Sequence, residues 1–138
     1  MKRASALKPF QYPRLWLGLW LVAVAVVIVL SLVNLSGLPP VPEGGDKVEH
    51  FIAYALLSAS AVQLFATRRA CMVVALLLVV LGIGLEFAQG ALTTTRMADP
   101  RDALANTLGV VAGLLTVFMP LRHALQRLDA RFKPARRP

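Results

Sequence analysis

Three short patterns bring together groups that could do chemistry. In "DKVEHFIAY", Asp46, His50 and Tyr54 recur at i, i+4 and i+8. On a helix of 3.6 residues per turn that spacing makes one stripe. In "GLEFAQ", Glu86 and Gln89 stand at i and i+3; in "DPRDALAN", Asp99, Asp102 and Asn106 stand at i, i+3 and i+7. Each set again shares one helical face. His50 beside Asp46 could act as an oriented base, and Glu86 in apolar surroundings as an acid or second base. His50, Glu86 and Asp102 could instead ligate a divalent metal. Helix amino ends, with Arg96 and Arg101, would suit an anion such as phosphate. The aspartates oppose that last use unless they are paired or bridged by a metal.

The elements that carry these patterns are apolar. The chain has 138 residues, 57% of them hydrophobic and 16% charged. Soluble domains usually hold about 45–50% apolar and about 25% charged residues. The excess is gathered into runs, which predicts membrane spans. The first covers residues 15–35, about 20 residues, the length needed to cross about 30 Å of hydrocarbon. It is too long for a signal-peptide core and no small-residue cleavage site follows, so a retained anchor is expected. A Pro- and Gly-rich loop, "SGLPPVPEGG", separates it from a second span that starts near Asp46 and is polar only at its start. "TRR" makes a tight turn into a third span over about residues 70–92. "TTTRMADP" leads to a fourth over about 101–119, with Asp99-Pro100 as its cap and first helical position.

Lys and Arg residues set the orientation. Lys2, Arg3, Lys8 and Arg14, then Arg68 and Arg69, then Arg122, Arg127, Arg131, Lys133, Arg136 and Arg137 fall on one side, against Lys47, Arg96 and Arg101 on the other. The positive-inside rule places both termini in the cytoplasm. The prediction is an all-α integral membrane bundle of four transmembrane helices with short loops. A basic cytoplasmic segment (1–14) precedes the first transmembrane helix (15–35); a three-helix core (46–120) leads to a basic tail (121–138). The net charge of +8 is thereby explained without nucleic acid, for which no recognition pattern is present. Cys71, the single cysteine, excludes an intramolecular disulfide.

Of the acids, only Asp129 falls at the inner end; Glu43, Asp46, Glu49, Glu86, Asp99 and Asp102 fall at the outer end. Charges facing lipid cost about 2.5–3.5 kcal/mol at mid-bilayer, so the three stripes are expected to turn inward around a polar pocket open to the outer surface. The third helix ends near Leu92, which puts Glu86 about 9 Å below that end at 1.5 Å per residue. His50, Arg96 and Asn106 are the expected partners of Glu86. Gly109 and Gly113 form a GxxxG match, expected to serve close packing. No polar stripe continues through the inner half, which argues against a channel or transporter.

The stretches "DKVEHFIAYALLS", "GLEFAQ" and "TRMADPRDALANTLGVVAG" together resemble the VanZ-like family of small bacterial membrane proteins. The matching positions are Asp46, Lys47, His50, Phe51 and Tyr54; Glu86 and Gln89; and Arg96, Asp99, Asp102, Asn106 and Gly109. They span residues 46–113. The resemblance implies a multi-pass protein of the bacterial inner (cytoplasmic) membrane, in a family whose namesake is linked to resistance to the glycopeptide teicoplanin. Its implied polar cluster is Asp46, Lys47, His50, Tyr54, Glu86, Gln89, Arg96, Asp99, Asp102 and Asn106. The favoured role is non-enzymatic: a pocket in the cell envelope that engages a lipid headgroup, a peptidoglycan precursor or a partner protein. The alternative is a membrane enzyme acting on a lipid or polyprenyl phosphate through His50 and Glu86. No cofactor is expected beyond a divalent metal in the latter case.

Overall fold

A computed structural model describes residues 5–33, 44–92 and 99–132. It is all-helical: α1 (Pro13–Leu32), α2 (Gly45–Leu64), α3 (Arg68–Leu92), α4 (Pro100–Leu115) and a short α5 (Ala124–Asp129). Two 3-10 turns, Thr116–Phe118 and Pro120–His123, join α4 to α5. Among the described residues there is no strand, only an isolated bridge between Leu7 and Phe65. The Pro- and Gly-rich loop after α1, the segment holding Arg96 and the end of the basic tail lie outside the described residues.

Among the described residues, three helical segments are long and apolar enough to cross a membrane: Pro13–Leu32, Arg68–Leu92 and Pro100–Phe118. α2 is as long as α1, but its polar first turns dilute its apolar character. The distribution of side chains is that of a membrane protein. Leu19, Val22 and Val26 of α1 and Met72, Leu76 and Val80 of α3 are exposed, whereas Ser58, Glu86, Gln89, Asp102 and Asn106 are buried. Apolar groups outside and polar groups inside suit a lipid surround, where polar side chains must find partners within the bundle.

The core is small: Tyr54, Leu57 and Ala61 of α2, Val74, Ala75 and Leu78 of α3, and Val110 of α4. α2 and α4 form its tightest pair because two glycines remove the side chains that would separate them. A Cβ on Gly109 would meet the Phe51 carbonyl oxygen. One on Gly113 would meet the Ala55 carbonyl oxygen and, at 2.7 Å, both the Ala59 nitrogen and the Ser58 Cβ. Ser58 ties the pair further by donating to the Val110 carbonyl at 2.8 Å.

At the end opposite Glu86, the chain termini are joined by polar contacts that the residue pattern did not announce. Asp129 of α5, 1% exposed, accepts from the Gln11 and Tyr12 backbone N–H groups and, at 2.7 Å, from the Trp16 indole. It thereby satisfies free N–H groups at the start of α1, whose own N-cap residue, Tyr12, provides no side-chain cap. Lys8, also buried, donates to the Val62 carbonyl at 2.8 Å and to the Arg122 carbonyl. Its backbone N–H bonds the Leu64 carbonyl at 2.9 Å, so it closes the carboxy end of α2 as a lysine cap does. Gln63 completes the seam, donating to the Leu121 carbonyl and accepting from the Leu125 N–H. Lys8, counted in the sequence only as a flanking charge, is therefore a structural residue.

Two predictions follow from these contacts. Gly113→Ala forces the α2–α4 backbones apart and costs about 1–3 kcal/mol, the usual range for overpacking. Gly84→Ala, in the interior of α3 with open space beside it, costs nothing and adds up to about 1 kcal/mol through helix propensity; thermal unfolding in detergent compares the two. For Asp129, burial pushes the carboxyl pKa up, but the Gln11, Trp16 and Tyr12 donors outweigh burial and hold it below the ordinary carboxylate value. A depressed folded value makes the stabilisation complete above the unfolded value of about 3.9 and lost as pH falls through the folded one. Thermal scans from pH 6 to pH 3 are expected to show a steeper loss of stability below about pH 4 in the wild type than in Asp129→Asn.

Candidate functional site

The opposite end of the bundle gathers ionisable groups from three helices. α2 begins at Gly45, with Gly44 as its N-cap in the left-handed conformation, φ 81°. That start places Asp46 inside the first turn and not at the cap. α4 begins at Pro100 with Asp99 as its N-cap, accepting from the Arg101 N–H at 2.9 Å. The Arg101 bond, with Lys47 assisting, holds the Asp99 carboxyl below its usual pKa.

Lys47 organises this end. Its ammonium lies 3.1 Å from Asp46, 3.0 Å from Asp99 and 3.0 Å from Asp102 Oδ1. One positive charge is thus shared by three carboxylates from two helices. Beneath it, His50 Nδ1 lies 3.0 Å from Asn106 Oδ1. That contact engages Nδ1 and leaves Nε2 as the ring nitrogen not held by Asn106. Nε2 faces Asp102 Oδ2 at 4.0 Å, beyond hydrogen-bond reach. His50 therefore pairs with Asn106, where the residue spacing had suggested Asp46.

Glu86 projects into the same region from α3. It is 5% exposed, and neither carboxylate oxygen has a hydrogen-bond partner among the described residues. The Tyr54 hydroxyl, on the next turn of α2 below His50, is likewise buried without a partner there. Gly82 makes room for this packing: a Cβ there would stand 3.1 Å from the Asn106 Cβ and 3.2 Å from the Tyr54 ring. His50, Glu86 and Asp102 each offer one ligand atom, all within 4.8 Å of one another.

Most of the predicted stripe positions do converge. Asp46, Lys47, Asp99 and Asp102 form the ion-paired rim, and buried Asn106, Tyr54 and Glu86 with half-buried His50 the floor. Gln89 departs from the expected arrangement, because it donates to the Ser31 carbonyl of α1 at 2.7 Å. Arg96 lies outside the described residues, so its expected pairing with Glu86 has no structural description. α1 also takes part, although it was expected to stand apart as an anchor. A cavity of about 190 Å³ beside the cluster is bounded by Val27, Leu30 and Ser31 of α1 and by Glu49, His50, Ala53 and Tyr54 of α2. Ser31 is one polar residue in a long apolar run, and its contribution is a backbone carbonyl, which no residue pattern reveals.

The comparisons with known proteins return no match: no family model fits the chain, and no curated protein or solved structure is significantly similar to it.

Removing Lys47 should be more damaging than its partial exposure suggests, since three carboxylates would then repel one another. Lys47→Met is expected to lower the thermal midpoint in detergent, and adding Asp102→Asn to recover part of the loss. Strict additivity of the two substitutions would contradict the shared ion pair.

Proposed function

We propose that the chain is a VanZ-like, four-span protein of the bacterial inner membrane. Both termini lie in the cytoplasm, and the outward-facing pocket engages a phosphate-bearing headgroup, of a lipid or a cell-wall precursor, without catalysing a reaction. The observation that carries this reading is the cluster of buried Glu86, Asn106 and Asp102 with half-buried His50 at one end of a bundle whose outer surface is apolar. Intramembrane ionisable groups are costly and persist where they serve a ligand, an ion or a partner.

Topology is supported by charge and by length. α2 has 20 residues, about 30 Å at 1.5 Å per residue, and beyond its second turn it is mainly apolar. With α2 as the fourth span, the basic residues before α1, between α2 and α3 and after α4 share one side, as the positive-inside rule requires. The polar cluster then faces the outside. The amino ends of α2 and α4 point toward it, and helix amino ends favour anionic ligands. Lys47 already neutralises part of the aspartate charge that would otherwise repel phosphate. A glycopeptide-resistance role fits a pocket at the surface where cell-wall precursors are handled.

The test is mass spectrometry of lipids extracted with the protein into native-lipid particles. Wild type should retain a phosphate-bearing lipid or precursor that Glu86→Gln loses. Identical lipid profiles for the two folded proteins would refute the reading.

A further inference from the structure

Among the described residues, the polar end holds Asp46, Glu49, Glu86, Asp99 and Asp102 against Lys47 and Arg101. Lys47 is divided among three aspartates. Among the described residues, Glu86 has neither an ion pair nor a hydrogen bond, although it is 95% removed from solvent. A buried carboxylate is ordinarily paired, hydrogen-bonded or bound to a metal. Here two further ligand atoms face it.

The details favour a cation. His50 engages Asn106 through Nδ1, and its other ring nitrogen, Nε2, stands 4.0 Å from Asp102 Oδ2. At that separation the two make no hydrogen bond, and both atoms are of types that ligate a metal. Lys47 lies 3.0 Å from Asp102 Oδ1, and the other oxygen, Oδ2, is the one that lies 4.0 Å from His50 Nε2. Both groups are held from behind in the manner of metal ligands: the imidazole by an amide oxygen on its other nitrogen, the carboxylate by an ammonium. One imidazole with two carboxylates suits a first-row divalent ion better than magnesium or calcium, which prefer oxygen alone. Bonds of about 2.0–2.2 Å are shorter than the present spacing allows, so loading would draw the three side chains together.

We propose that His50 Nε2, Glu86 and Asp102 Oδ2 bind a divalent cation of the zinc or manganese class, with open coordination positions turned to the cavity between α1 and α2. The cation stands on this geometry alone. Its further role, accepting a phosphate oxygen of the headgroup, rests on the function proposed above and would let an acidic pocket take an anionic ligand.

The test uses untagged full-length protein in detergent, stripped with EDTA and titrated with zinc chloride or manganese chloride against a chromophoric chelator. Wild type should bind one equivalent of at least one metal. Asn106→Ala, which removes only the partner orienting the imidazole, should weaken binding by about 10–100-fold. Glu86→Gln and Asp102→Asn should lose stoichiometric binding, while Asp129→Asn, at the opposite end of the bundle, keeps it. Helical content and gel filtration establish that each variant is folded. For any variant that fails to fold, electron spin echo of Mn²⁺ bound to wild type replaces it. An imidazole nitrogen coupling that survives His123→Gln assigns the ligand to His50. Absence of a bound equivalent in wild type, retained affinity in folded Glu86→Gln, or a manganese signal without imidazole coupling would overturn the proposal. Metal bound without any phosphate-bearing lipid would refute the headgroup reading and leave the cation site standing; lipid bound without metal would do the reverse.

Discussion

A single ammonium group at the amino end of α2 holds the polar half of this bundle together. Lys47 reaches Asp46 on its own helix and Asp99 and Asp102 on α4. That arrangement requires α2 and α4 to approach more closely than ordinary side chains permit. Gly109 and Gly113 allow it by bringing α4 against the α2 backbone at Phe51 and Ala55. The close packing then carries Asn106 to His50, and Gly82 lets α3 bring Glu86 to the same floor. The glycines fix the helix spacing, the spacing fixes the ion pairs, and the ion pairs make an acidic cluster tolerable inside an apolar molecule.

The two ends of the bundle treat buried charge differently. Asp129 is surrounded by donors from the start of α1, and Lys8 by carbonyls at the end of α2 and beyond it. Each is satisfied, and each joins the chain's beginning to its end. Glu86 is as deeply buried as Lys8 but lacks a partner among the described residues. Leaving a buried ion uncompensated costs several kcal/mol. Satisfied charges of the first kind serve the architecture; an unsatisfied carboxyl inside the bundle is where a ligand would gain most.

Much of this was legible in the residue pattern, for a physical reason. Helical periodicity is strict, so Asp46, His50 and Tyr54, or Asp99, Asp102 and Asn106, had to share faces once their helices formed. The apolar runs gave the helices, and the cost of exposing charge to lipid turned those faces inward. What escaped were contacts made by backbone. The Ser31 carbonyl that receives Gln89, the N–H groups that Asp129 satisfies and the carbonyls that Lys8 caps belong to every residue type alike. Partner choice escaped too: His50 had Asp46 one turn away on its own helix, but the α2–α4 approach brought Asn106 within reach instead. Lys47 was visible only as part of a family-like pattern, since its three partners come together through tertiary packing.

The most direct measurement of an outward-facing acidic cluster is cysteine labelling in intact cells with a membrane-impermeant maleimide. In a Cys71→Ala background, Asp46→Cys at the rim of the cluster should label from outside. Arg69→Cys, at the turn between α2 and α3, should label only after the membrane is permeabilised. Labelling of Arg69→Cys in intact cells with protection of Asp46→Cys would place the cluster in the cytoplasm and contradict the outward-facing site.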